Sequence, residues 1–114
     1  MLGVIPLSLH KPLFYENTEI NILYYNAEDN DGFKISVYFE ESYLWIDEAL
    51  SMGNVLVHCG AGISRSASII IAYLMKKNKW TTDFSLKLVQ GARPNANPNL
   101  GFQKQLKEFE AELL

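Results

Sequence analysis

Cysteine is nearly absent: Cys59 stands alone in 114 residues. An intrachain disulfide is excluded, and a reducing compartment is the natural setting. The cytoplasm is therefore expected, with the nucleus also open. Nor could a second thiol trap an oxidised Cys59, so oxidation there would end in a sulfenamide, a mixed disulfide or irreversible damage. Long apolar runs are missing too; no stretch of about 18 such residues occurs, so no membrane partner is expected. No basic-then-apolar leader with a small-residue cleavage site opens the sequence. Histidine is scarce, and His10 and His58 lack metal-ligand spacing, so neither a metal nor another cofactor is expected. Basic residues number ten against 13 acidic ones, for a net charge of −3, and they are scattered. That pattern argues against nucleic acid as a partner. There is no internal repeat and no low-complexity segment. An apolar content of 48% over this length is enough for one core, so a single domain over residues 1–114 is expected, as a monomer.

What is present is concentrated around the one cysteine. Residues 58–66 read His58-Cys59-Gly60-Ala61-Gly62-Ile63-Ser64-Arg65-Ser66. They follow the apolar run Val55-Leu56-Val57 and open onto a helical apolar run from Ala67 to Leu74. A strand, a tight small-residue loop and a helix are implied, with a thiol at the loop's start and a guanidinium at its end. A free thiol, with a pKa of about 8.5, attacks only once deprotonated. Three features would lower that value: the N-terminus of the following helix, a nest of loop N–H groups from Gly60 to Ser64, and the fixed charge of Arg65. A shift of roughly three units needs about 4 kcal/mol, which the three together can supply. The same groups suit a phosphate. Loop N–H groups would hold its equatorial oxygens and Arg65 would grip two of them. Gly62 suits a backbone conformation that bulkier residues resist. Ser66 can donate a hydrogen bond to the sulfur, and His58 is read as orienting the loop from behind. A Walker-type loop is excluded, since no Gly-Lys-Ser/Thr follows the glycines.

Short strands alternating with helices predict an α/β fold, with a mostly parallel central sheet flanked by helices and the reactive loop at a strand's carboxyl end. Strands are expected over Leu2–Leu9, Ile20–Ala27 and Asn54–Val57. Ser36 reads as the N-cap of a helix to about Met52, with Phe39, Tyr43, Ile46 and Leu50 on one face. A central helix is expected over Arg65–Lys77. Another should begin at a Thr81 or Thr82 cap and run to about Gln90. Asn97-Pro98 reads as the start of the last, with proline at the first helical position and Phe102, Leu106, Phe109 and Leu113 inward.

The string Val57-His58-Cys59-x-Ala61-Gly62-Ile63-Ser64-Arg65-Ser66 resembles the cysteine-dependent protein phosphatases, and within them the dual-specificity branch. Strict tyrosine phosphatases typically carry Gly then Arg-Thr-Gly where this sequence has Ser64, Arg65, Ser66 and Ala67. Inositide phosphatases usually carry lysines inside the loop, and here there are none. The segment Arg93-Pro94 through Pro98-Asn99-Leu100-Gly101-Phe102 to Gln105-Leu106 also matches the family; Arg93 is read as structural. In the family the general acid precedes a Phe-x-Ile/Leu-Ser-x-Tyr/His-Phe run, here Phe33-Lys34-Ile35-Ser36-Val37-Tyr38-Phe39. The matching acid is Asp29, in an acidic loop with Glu28 and Asp31; Asp31 is the next candidate. The resemblance implies a phosphatase-like fold and hydrolysis of phosphotyrosine and phosphoserine or phosphothreonine in protein substrates through a cysteinyl phosphate. It covers about residues 20–113 well; elements that family domains usually carry ahead of the first strand are not apparent, so an N-terminally shortened domain is expected. Two alternatives remain: an inactive phosphate-binding module, and a phosphatase of RNA 5′-triphosphate or phosphoinositide.

Overall fold

The computed structural model describes residues 2–4, 23–53, 55–59 and 64–114. Three short parallel strands form a sheet, β1 (Leu2–Val4), β2 (Leu23–Tyr25) and β3 (Val57–His58), in the order β2-β1-β3. Leu2 pairs with Leu23 on one side and Val57 on the other, and Gly3 with Tyr24 and His58. Four helices follow the chain: α1 (Phe39–Met52), α2 (Arg65–Asn78), α3 (Thr82–Ala92) and α4 (Leu100–Leu113). The α/β class and the parallel sheet agree with the sequence. The expected strands over Leu2–Leu9 and Ile20–Ala27 are seen at Leu2–Val4 and Leu23–Tyr25; residues 5–22 lie outside the described residues. The third strand sits later than Asn54–Val57, at Val57–His58, where β1 supplies a ladder partner.

Helix α2 is central, as its apolar content predicts. Ile69, Ile71, Ala72 and Met75 are all buried in it, and α1, α3 and α4 pack around it. Its last turn holds Lys76 and Lys77, whose charges suit the negative end of a helix. It stops at Lys79, whose left-handed φ of 59° ends the helical run. Lys77 and the Tyr73 hydroxyl both donate to Asp47 Oδ1 at 2.9 Å, joining α2 to α1. Those two bonds, Lys77's first, hold the Asp47 carboxyl below the usual carboxylate range.

Two helix starts differ from expectation. Ser36 is not the cap of α1. Residues Ile35–Tyr38 form a 3₁₀ turn before the α-helix begins at Phe39. The Ser36 N–H is satisfied from across the molecule instead, donating to Gln105 Oε1 at 2.9 Å, while Gln105 Nε2 donates to the Phe33 carbonyl at 2.8 Å. Of the predicted α1 face, Phe39 and Ile46 are buried, Tyr43 is half-buried against Tyr73, and Leu50 is exposed. Helix α4 starts at Leu100, and its cap is Asn99 rather than Asn97. Pro98 is therefore outside the helix, its side chain fully buried and its carbonyl accepting from Gln103 Nε2 at 2.8 Å. Thr81 caps α3 as expected, accepting from the Phe84 N–H at 3.2 Å; the helix runs two residues past Gln90. Phe102 and Leu106 of α4 are fully buried and Phe109 and Leu113 half-buried, so the amphipathic face is as read.

Candidate active site

Cys59 follows β3 directly and is buried, 8% exposed. Its Sγ lies 3.3 Å from Ser66 Oγ, on the first turn of α2. A neutral thiol donates to that oxygen; a thiolate accepts from the hydroxyl instead, so Ser66 serves both states. The first bonded N–H of α2 is Ser68's, to the Ser64 carbonyl at 3.0 Å. The N–H groups of the turn before it have no acceptor within the helix, and they form its positive end beside the sulfur. The expected cradle residues Gly60, Ala61, Gly62 and Ile63 lie outside the described residues.

Arg65 is the first residue of α2 and only 9% exposed. Its Nη1 donates to the Ala27 carbonyl at 3.2 Å, just past the end of β2. Its Nε is buried with no hydrogen-bond partner among the described residues. A buried guanidinium with an unused donor is costly unless an acceptor meets it. An anion at that unused donor is the chemistry the arrangement favours. Ser64 caps α2 through its backbone position, not its side chain. Its Oγ accepts the Asn99 N–H at 2.8 Å. His58, the last residue of β3, is half-buried and lines the same cavity as Cys59. That cavity, of about 240 Å³, opens beside the thiol, with Cys59, Ser66, Ala67, Val89, Arg93 and Ala96 in its wall. Arg93 closes α3 through its backbone, donating to Val89 O at 2.8 Å and accepting from the Ala96 N–H at 2.9 Å. Its side chain is exposed in that wall, so its structural part is the backbone's. Among the described residues no group of three His, Cys, Asp or Glu could hold a metal ion.

The acidic loop leaves the carboxyl end of β2 and is exposed. Its three acids have different partners. Glu28 Oε2 accepts from Asn30 Nδ2 at 3.0 Å, within the loop. Asp31 Oδ1 accepts the Gly101 N–H of α4 at 3.3 Å. Asp29 Oδ1 accepts from Asn99 Nδ2 at 3.0 Å. Asp29 is thus the acid joined to the thiol side, through Asn99 to Ser64 and so to the residue before Arg65.

A family model described as the dual specificity phosphatase catalytic domain matches residues 3–112. The chain belongs to the dual specificity phosphatase family. Dual specificity protein phosphatase 1B of Arabidopsis thaliana is 45% identical over 75% of this chain and 52% of its own length. MAP kinase phosphatase with leucine-rich repeats protein 3 of Dictyostelium discoideum is 44% identical, over 77% of this chain and 10% of its own. The chain thus spans about half the length of the first of these relatives and a tenth of the second. Among solved structures, the human tyrosine phosphatase-like serine/threonine/tyrosine-interacting protein superposes with a TM-score of 0.86 at 35% identity, covering 98% of this chain and 78% of that one.

Several contacts of this phosphatase domain have no local sequence signal. The acceptor for Arg65 is a backbone carbonyl 38 residues away. Asn99 and Gly101 had a partial one, since both fall in the family segment, but only the fold reveals what they touch. A Cβ on Gly101 would lie 2.0 Å from the Asp31 carbonyl oxygen and 2.7 Å from Asp31 C and Cα. That contact is with backbone, so the loop carrying the acids would have to move. Gly101→Ala is expected to cost about 1–3 kcal/mol through overpacking. It should also lower turnover of a phosphate ester with a poor leaving group roughly a hundredfold, the usual effect of misplacing a reacting group by about 1 Å. Chemical unfolding and kcat/KM on one preparation check both; wild-type values in each would mean that α4 and the loop do not meet this closely.

Proposed function

We propose that this domain hydrolyses phosphotyrosine and phosphoserine or phosphothreonine in proteins through a cysteinyl phosphate, with Cys59 as nucleophile, Arg65 as phosphate clamp and Asp29 as acid and then base. The carrying observation is the buried thiol 3.3 Å from Ser66 Oγ at the start of α2, a helix whose first residue, Arg65, holds its guanidinium buried and anchored on the Ala27 carbonyl. In the first step the Cys59 thiolate forms an S–P bond while the P–O bond to the substrate breaks. Asp29 gives its proton to the departing oxygen, which leaves as the alcohol or phenol. In the second step the Asp29 carboxylate takes a proton from water, whose oxygen attacks phosphorus. The S–P bond breaks, and the Ser66 hydroxyl steadies the thiolate as it leaves. Arg65, with the loop N–H groups from Gly60 to Ser64, would hold the equatorial oxygens throughout. His58 would orient the loop.

Protein substrates rather than inositides or RNA 5′-triphosphate are supported by the absence of lysine between Cys59 and Arg65 and by the negative net charge. The human interacting protein has the same fold, so the fold alone does not decide between catalysis and binding. Cys59, Arg65 and Asp29 together favour catalysis.

The test is a pH–rate profile of wild type beside Asp29→Asn and Asp31→Asn. Asp29→Asn should lower kcat for a phenyl phosphate ester by about 10²–10⁴ and remove the fall in rate with rising pH that marks loss of the acid's proton. Asp31→Asn keeps an oxygen for the Gly101 N–H, so its profile should follow wild type. The reverse ranking would transfer the acid to Asp31. Turnover of phosphotyrosyl and phosphothreonyl peptides should exceed that of a phosphoinositide and of an RNA 5′-triphosphate; a lead for either of the latter would overturn the substrate class.

A further inference from the structure

The loop bearing Asp29 and the loop bearing Cys59 leave strands that are not neighbours. In the order β2-β1-β3 a whole strand separates them, so no ladder bond ties one loop to the other. Their separation must be set elsewhere. Arg65 reaches the Ala27 carbonyl at the start of the acidic segment, and Asn99 touches Asp29 itself as well as Ser64. Asn99 caps α4 with extended backbone and makes four hydrogen bonds, one of them its carbonyl accepting the Gln103 N–H at 2.9 Å. Its N–H donates to Ser64 Oγ at 2.8 Å, its Oδ1 accepts the Phe102 N–H at 2.8 Å, and its Nδ2 donates to Asp29 Oδ1 at 3.0 Å.

We infer that Asn99 is a positioning residue for the acid, selecting Oδ2 of Asp29 as the oxygen that carries the proton and holding it at a set distance from the phosphate loop. The selection follows from the cap. Phe102 offers a backbone N–H, which only an oxygen can accept, so the amide of Asn99 has one orientation and must turn its NH₂ toward Asp29. Asp29 Oδ1 therefore always faces a donor. A protonated Oδ1 would set its hydrogen against the amide hydrogens, so the proton goes to Oδ2. The same atom then gives a proton to the leaving group and later takes one from water, and Asp29 need not rotate between steps. Through its backbone N–H, Asn99 also fixes Ser64, the residue before Arg65. One residue thereby sets the acid against the guanidinium.

This rests on Asp29 being the acid, so the experiment carries that control. Asn99→Ser keeps a capping oxygen but is too short to reach Asp29. Asn99→Asp keeps the cap and suits the positive helix end, yet presents an acceptor where Asp29 needs a donor. Two substrates are compared: phenyl phosphate, whose leaving group needs a proton, and a polyfluorinated aryl phosphate, whose leaving group does not. The comparison is made in kcat/KM, which reads only the steps up to the cysteinyl phosphate and not the later action of Asp29 on water. For phenyl phosphate it should fall roughly tenfold in Asn99→Ser, the scale of one hydrogen bond to a charged group, and further in Asn99→Asp. For the fluorinated ester both should stay within about twofold of wild type. In an Asp29→Asn background neither should add a further loss, since the residue they act through is gone. Equal losses on both esters in Asn99→Asp would make the role merely structural and overturn the inference. So would wild-type phenyl phosphate turnover in both variants while Asp29→Asn is impaired. If Asp29→Asn itself shows no preference between the esters, the assignment of Asp29 falls, and this inference with it.

Discussion

Cys59→Ser is expected to abolish turnover of an aryl phosphate, a loss on the order of 10⁵–10⁶, the scale on which a hydrolase responds to removal of its nucleophile. The thiol is buried and lies 3.3 Å from Ser66 Oγ at the positive end of α2. Those surroundings favour an anion at sulfur. A serine hydroxyl in the same place stays protonated at any pH at which the protein is folded, because an alcohol is far less acidic than a thiol. It is also a poor leaving group from phosphorus, so any phosphoserine formed would persist. The substitution is nearly isosteric and Ser66 remains a partner, so folding should be little altered. Tungstate binding, measured by calorimetry, should persist within a few-fold. The two measurements separate the readings that a common fold leaves open. A binding module would retain tungstate and lack turnover in the wild type as well. Wild-type turnover in the variant would remove Cys59 as nucleophile.

Arg65→Lys is expected to lower kcat by roughly 10²–10⁴, although it keeps the charge. Each hydrogen bond to a charged group is worth about 1.5–3 kcal/mol, and two are at stake when a guanidinium forks onto phosphate oxygens. Arg65 has a second commitment, through Nη1 to the Ala27 carbonyl at 3.2 Å. Lysine has a single nitrogen and cannot serve Ala27 and a forked phosphate together. Ala27 is fully buried, so its carbonyl would lose its donor, at about 1–3 kcal/mol of stability. Ala27 also begins the segment that leads to Asp29, so a loosened Ala27 would affect the acid as well as the clamp. Steady-state kinetics and urea unfolding on the same protein test both parts. A variant within twofold of wild type in kcat would show that Arg65 supplies charge alone.

The nucleophile, the guanidinium and the loop between them are contiguous, and contiguous residues with small spacers can be read without a fold. Asp29 needed the family resemblance, because Glu28 and Asp31 share its local character. The fold distinguishes the three by their partners: Asn30 for Glu28, Gly101 for Asp31 and Asn99 for Asp29. The two helix starts went astray for one reason. Ser36 and Asn97 have the chemistry of caps, but neither is the cap used. Ser36 lies inside the 3₁₀ turn Ile35–Tyr38, and its own N–H meets Gln105, 69 residues on. Asn97 lost the cap to Asn99, whose own N–H is drawn to Ser64.

By itself the sequence determined the α/β class, the central place of α2 and the inward face of α4, and it singled out the stretch from Cys59 to Arg65. All of these follow from periodicity, spacing and side-chain type over short stretches. Only the tertiary structure decided how α4 joins the site. Residues 99, 101 and 105 dock the segment from Asp29 to Ser36, while Asn99 also grips Ser64. The physical reason is that β2 and β3 are separated by β1. The two halves of the site cannot bond to each other along the sheet, so Arg65 reaching Ala27 and the N-terminus of α4, through Asn99 and Gly101, supply the links.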